Sequence, residues 1–131
     1  MSRSPAAAPA PAAPAVTLDD VRRAAQAIAG VAVRTPLVEM PALAQVTGHP
    51  VALKCEQLQP IGAFKVRGAF NAIQRLPEVV RRRGVITYSS GNHGQAVAWA
   101  AQRVGVPSVV VMPNTAPQVK VDGVRKLGGE A

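Results

Sequence analysis

Val85-Ile86-Thr87-Tyr88-Ser89-Ser90-Gly91-Asn92-His93-Gly94-Gln95 opens on four residues of strand-forming type, passes through a small polar loop and runs on into Ala96-Val97-Ala98-Trp99-Ala100-Ala101. In that continuation Val97, Ala100, Ala101 and Val104 recur at helical spacing, so the stretch reads as strand, loop and helix with its apolar face turned inward. Similar units flank it. Upstream, Val51-Ala52-Leu53-Lys54-Cys55-Glu56 alternates like a half-buried strand, and Lys65 stands near the start of a helix carrying Val66, Ala69, Phe70 and Ile73 on one face. Downstream, Ser108-Val109-Val110-Val111-Met112 reads as a buried strand, followed by a last helix with Val121, Val124 and Leu127. Alternation of this kind predicts an α/β fold with a parallel sheet flanked by helices, because parallel strands need crossover connections. Ligands in such sheets bind beyond the carboxyl ends of strands. Two polar segments lie at such ends: Gly62-Ala63-Phe64-Lys65-Val66-Arg67-Gly68-Ala69 and Ser89-Ser90-Gly91-Asn92-His93-Gly94-Gln95.

Ahead of these units, Thr17-Leu18-Asp19-Asp20 has the pattern of a capped helix start, with Leu18, Val21, Ala25 and Ile28 forming an apolar face that ends at Gly30. Arg34-Thr35-Pro36-Leu37 is an extended segment, since the residue before a proline is pushed out of the α region. A short helix is expected over 41–46, and Gly48-His49-Pro50 turns the chain, with His49 a turn residue.

The two polar segments carry the chemistry. A lysine amine is nucleophilic only when unprotonated, and partial desolvation at the positive end of a helix favours that form, which suits Lys65 to hold a carbonyl cofactor as a Schiff base. Residues 89–95 join a strand to a helix amino terminus, where unpaired N–H groups and the helix dipole favour an anion such as an amino-acid carboxylate. Ser, Gly and Asn are also common turn and cap residues, so the loop alone does not decide between the two.

Together, Glu56-Gln57-Leu58-Gln59-Pro60-Ile61-Gly62-Ala63-Phe64-Lys65-Val66-Arg67-Gly68-Ala69 and the Ser89 to Gln95 loop resemble the cofactor-lysine segment and the asparagine loop of the fold-type II pyridoxal-phosphate enzymes, in the serine/threonine dehydratase and serine racemase branch. The resemblance runs over 17–131. It implies a tryptophan synthase β-like α/β fold and pyridoxal 5'-phosphate as cofactor. Lys65 then binds the cofactor and takes the Cα proton of the substrate, Phe64 flanks the ring, and Asn92 reaches the ring hydroxyl oxygen. Ser89, Gly91, Asn92 and His93 line the substrate carboxylate site. Ser90, where many threonine dehydratases show Ala, implies a second proton-transfer group of the kind that racemisation needs, or else a serine that only caps the helix. Phe64 is equally readable as a core residue. Ala63 departs from the serine often found there, which leaves substrate preference open. Glu56, Gln59 and Arg67 are family-like and read as structural.

By this likeness, 17–76 forms the first part of the large cofactor-binding domain and 84–131 an incomplete small domain. At 131 residues the chain is too short for that two-domain architecture and reads as a truncated amino-terminal portion. The glycine-rich phosphate loop, the group that meets the pyridine nitrogen and the acidic metal site of the racemase branch are expected outside it. The implied reaction is dehydration and deamination of a β-hydroxy amino acid such as threonine or serine. Racemisation or hydroxyaspartate dehydration is the alternative, and an inactive fragment the non-enzymatic one. A homodimer is implied for the full-length enzyme.

Composition bounds the rest. Lys plus Arg number 15 against 7 Asp plus Glu, a net charge of +8. Beyond Arg81-Arg82-Arg83, the solvated end of a helix, there is no basic run and no aromatic interleaving to stack bases, which argues against nucleic acid. The lone Cys55 excludes an internal disulfide and fits a cytoplasmic location. No His/Cys cluster has metal-ligand spacing. The Ala/Pro alternation over 1–16 reads as a disordered, polyproline-like tail without the apolar core of a signal peptide, and no stretch reaches membrane-spanning length.

Overall fold

A computed structural model of the chain describes residues 15–131, so the tail expected over 1–16 lies, as far as residue 14, outside the described residues. In chain order the elements are α1 (Leu18–Ala27), β1 (Leu37–Glu39), α2 (Pro41–Thr47), β2 (Ala52–Lys54), a 3-10 turn (Glu56–Leu58), α3 (Lys65–Gln74), α4 (Glu78–Arg81), β3 (Val85–Tyr88), α5 (Asn92–Val104), β4 (Ser108–Val111) and α6 (Gln118–Lys126).

The strand–helix alternation expected around the asparagine loop is present. β3 and β4 pair parallel, Val85 opposite Ser108 and Tyr88 opposite Val111. After α6 the chain turns at Gly128 (φ 77°) and re-enters beside β4, where Glu130 bridges Val109 in parallel. The parallel expectation does not extend to the first sheet. β1 and β2 pair antiparallel, Leu37 opposite Lys54 and Glu39 opposite Ala52. The physical reason is the short connection: one helix of two turns reverses the chain directly, where a parallel return requires a longer crossover. All residues of both strands are exposed, so the half-buried alternation read in 51–56 is corrected as well. Glu56 leaves the strand for the 3-10 turn.

The core forms where α3 lies on α5. Val66, Ala69, Phe70 and Ile73 meet Ala96, Val97, Trp99, Ala100 and Ala101, and the Phe70 and Trp99 rings stand 6.2 Å apart at a tilt of 57°, within the range favoured by aromatic pairs. A second cluster, Ala98, Val110 and Val124, seats α6 and β4 on the other side of α5. The small residues of α5 permit this double coverage: Ala96, Ala98, Ala100 and Ala101 are fully buried. The larger cluster therefore draws on both expected segments, 17–76 and 84–131.

Helix α1 begins with the expected capping box, Thr17 Oγ1 accepting from the Asp20 N–H (3.2 Å) and the Asp20 carboxylate from the Thr17 N–H (2.9 Å). Its apolar face is not buried: Leu18 and Val21 are exposed, and only the following Ile28 packs on the α3–α5 core. Among the described residues nothing buries Leu18, Val21 or Ala25 of that face. Helix α4 is a single turn that ends in the arginines, as their solvated position requires.

Candidate active site

Lys65 is the first residue of α3 and Phe64 its N-cap, in an αR conformation with no side-chain cap bond. The residue is exposed, so the partial desolvation expected of the amine is not seen in this chain, and the amine lies over the Phe64 ring, 4.8 Å from its centroid. Phe64 is 56 % exposed, so its reading as a core residue is set aside and its ring face remains available to a planar ligand.

The approach to Lys65 is held by a hydrogen-bonded cluster around Glu56. Arg67 grips the carboxylate with both arms, Nε to Oε2 at 2.9 Å and Nη2 to Oε1 at 2.8 Å, while Thr35 Oγ1 donates to Oε1 at 2.6 Å. Gln59 Nε2 donates to Glu56 Oε2 (3.2 Å) and to the Val33 carbonyl (2.8 Å), and its Oε1 accepts from the Val33 N–H (3.0 Å). Arg67 Nη2 also reaches the Val33 carbonyl at 2.9 Å. The Arg67 hydrogen bonds hold the Glu56 carboxyl well below its ordinary 4.5, at about 2; desolvation opposes them, and Thr35 and Gln59 reinforce them. Thr35 and Gln59 are buried, and the ion pair is at most 29 % exposed. The sequence reading of these residues as structural holds, but the pair is more enclosed and better bonded than a surface pair of small worth.

The second segment sits at the carboxyl end of β3. The Ser89 N–H donates to the Val111 carbonyl (3.1 Å), extending the strand pairing, and Ser89 Oγ accepts from the Gly91 N–H (3.2 Å), closing a local turn. Gly91 is the N-cap of α5 and supplies no side-chain cap, so Ser90 does not cap the helix as one reading proposed. Asn92, His93 and Gly94 precede the first helical bond, Gln95 N–H to Gly91 carbonyl at 3.5 Å, and no acidic residue stands in the first turn. Their N–H groups are the unpaired donors of a helix start.

The structure joins the segments through one recess of about 260 Å³, lined in part by Gly68 and Ala69 of α3 and His93 and Val97 of α5. Lys65, Ser89, Gly91 and Asn92 do not line it. A larger groove, about 680 Å³, lies away from both segments between α2 and the β1–β2 pair. It includes Met40, Ala44, His49 and Val51 but neither Lys65 nor any residue of 89–95, and it carries no group of the predicted site. At the loop, sequence reasoning missed the contact from α6: Lys120 Nζ donates to Asn92 Oδ1 at 3.3 Å. A single lysine in another helix carries no local signal of that kind.

The donor set suits pyridoxal phosphate: an accessible primary amine for its aldehyde, an aromatic face beside that amine, and an asparagine amide at a helix start. The family model for pyridoxal-phosphate dependent enzymes matches residues 28–131. The chain belongs to that family. Within this pyridoxal-phosphate enzyme family it is 45 % identical to an L-threonine ammonia-lyase of Thermotoga maritima over 88 % of its length and 29 % of the relative's. It is 47 % identical to an L-threo-3-hydroxyaspartate ammonia-lyase of a Pseudomonas species, covering 83 % of the chain and 34 % of that protein. The solved serine racemase of Dictyostelium discoideum superposes with a TM-score of 0.83 at 40 % identity, over 88 % of this chain and 38 % of that one. These likenesses place the pyridoxal-phosphate enzyme in the dehydratase and racemase branch, with pyridoxal 5'-phosphate as its cofactor. The chain spans about a third of the length of the curated relatives it matches. Among the described residues no helix is long and apolar enough to cross a membrane.

Proposed function

We propose that the protein to which this chain belongs converts a β-hydroxy amino acid, such as L-threonine or L-serine, into a 2-oxo acid and ammonia. The observation that carries the reading is the exposed Lys65 amine at the first position of α3, beside an exposed aromatic face. Lys65, Phe64 and Asn92 hold the cofactor, which supplies an electron sink for the negative charge that develops at Cα. Lys65 takes the Cα proton. Ser89, Gly91, Asn92 and His93 orient the substrate carboxylate toward the N–H groups that open α5. The β-hydroxyl leaves as water with a proton, and the resulting unsaturated amine takes up water and releases ammonia. The single free Cys55 fits a reducing compartment such as the cytoplasm.

A second reading is amino-acid racemisation or hydroxyaspartate dehydration. It is favoured by Ser90, whose hydroxyl is not used as the cap of α5 and is exposed at the loop. The test is a visible absorption spectrum of the full-length protein with pyridoxal phosphate, beside Lys65→Ala. A dialysis-resistant band absent from the variant supports the assignment of Lys65, and an undiminished band sinks it. Ammonia and 2-oxo acid release from threonine and serine, set against chiral analysis of the remaining amino acid, then separates elimination from racemisation.

A further inference from the structure

Parallel pairing of β3 with β4 brings the carboxyl ends of both strands to one edge, so the helices that follow them start side by side. From α6, Lys120 is half-buried and reaches across to Asn92, the first residue of α5, with Nζ to Oδ1 at 3.3 Å. An ammonium only donates, and an asparagine amide offers one acceptor oxygen and one NH₂ donor. The lysine therefore selects one of the amide's two orientations. We infer that Lys120 is a positioning residue: it draws the Asn92 carbonyl oxygen toward α6 and leaves the Asn92 NH₂ as the donor presented at the start of α5.

This inference rests on the reading of Asn92 as a cofactor- and substrate-facing group, and gives that reading its direction. With its oxygen engaged, Asn92 adds a donor to the N–H groups of Asn92, His93 and Gly94, so the loop offers donors to an electron-rich guest. Without Lys120 the amide is free to turn, and its oxygen repels the same guest. The ammonium adds positive charge of the sign that such a guest requires.

The test uses the full-length protein and the variants Lys120→Met, Lys120→Gln and Lys120→Arg. In the cofactor-free protein, the side-chain ¹H–¹⁵N signals of Asn92 are expected to shift in Lys120→Met, with the backbone signals of Ala96 to Ala101 unmoved, and to return in Lys120→Arg. In the holoenzyme, KM for the amino-acid substrate is expected to rise roughly tenfold in Lys120→Met, the scale of one charge-assisted hydrogen bond, with kcat changing less. Lys120→Gln, which keeps a donor without the charge, should fall between. Unchanged Asn92 signals in both neutral variants, or failure of Lys120→Arg to restore them, overturn the inference. The outcomes separate it from the proposed function. A cofactor band independent of Lys65, with shifted Asn92 signals, defeats the function and leaves the contact standing; a Lys65-dependent band with unshifted signals does the reverse.

Discussion

Glu56 accepts from three side chains at once, and its carboxyl is held at about 2 against an ordinary 4.5. The folded protein therefore binds a proton there less readily than the unfolded chain. The stability this contributes is complete above about pH 4.5 and is lost as pH falls toward 2. Chemical denaturation of the full-length protein as a function of pH should show a loss across that window that is smaller in Glu56→Gln, and an equal loss in both proteins would refute the assignment. At neutral pH we expect Glu56→Gln to cost about 2 kcal/mol, the range for a hydrogen bond to a charged group. Residue by residue, the sequence makes Lys65 and the asparagine loop readable because each is a run of adjacent residues. The Glu56 cluster and the Lys120–Asn92 contact join residues 21, 11 and 28 positions apart. Only the folded chain brings those partners together, and hydrophobic periodicity carries no record of them.

At the scale of elements, the first turn of α5 is pressed against the strands. A Cβ built on Gly94 stands 2.8 Å from the Ser89 carbonyl oxygen and 2.7 Å from Val110 Cγ1. Neither neighbour can yield: one is backbone, the other a fully buried side chain in β4. Gly94→Ala should thus destabilise by about 1–2 kcal/mol, overpacking outweighing the gain in helix propensity, and a shift of the urea midpoint at constant slope measures it. An unchanged midpoint would show that the loop has room to move. This demand for glycine is invisible in sequence, where Gly94 reads as one more turn residue. The buried faces of α3 and α5 were legible, since their apolar residues keep helical spacing and find each other. The same spacing in α1 marked an apolar face, and the structure leaves its Leu18 and Val21 exposed, because periodicity states that a face is apolar and not what covers it. The antiparallel β1–β2 pair was missed for a different reason: 51–56 reads as a strand, but Arg34 to Leu37 reads as merely extended, so nothing in the sequence marks β1 as its partner.

For the whole molecule, the decisive feature is that, among the described residues, helices cover one side of β3 only. Val85 and Thr87 are half-buried, whereas Ile86 and Tyr88, pointing to the opposite face, are 73 % and 74 % exposed. The outer edge of β3 has no strand partner among the described residues. An apolar face beside an unpaired edge is a template for association. Opposing it is the net charge of +8, which keeps copies apart as long as it is unscreened. The 131-residue chain, prepared alone, is therefore expected to self-associate more strongly as salt rises from about 0.05 M to 0.5 M, where screening shortens the reach of the repulsion to a few ångströms. Sedimentation velocity across that range reads the effect directly. Replacing Ile86 and Tyr88 by Lys should hold the chain monomeric at both salts with its far-ultraviolet circular dichroism unchanged. Association that persists in the double variant would move the sticky surface elsewhere, with the exposed Leu18 and Val21 of α1 the next place to substitute.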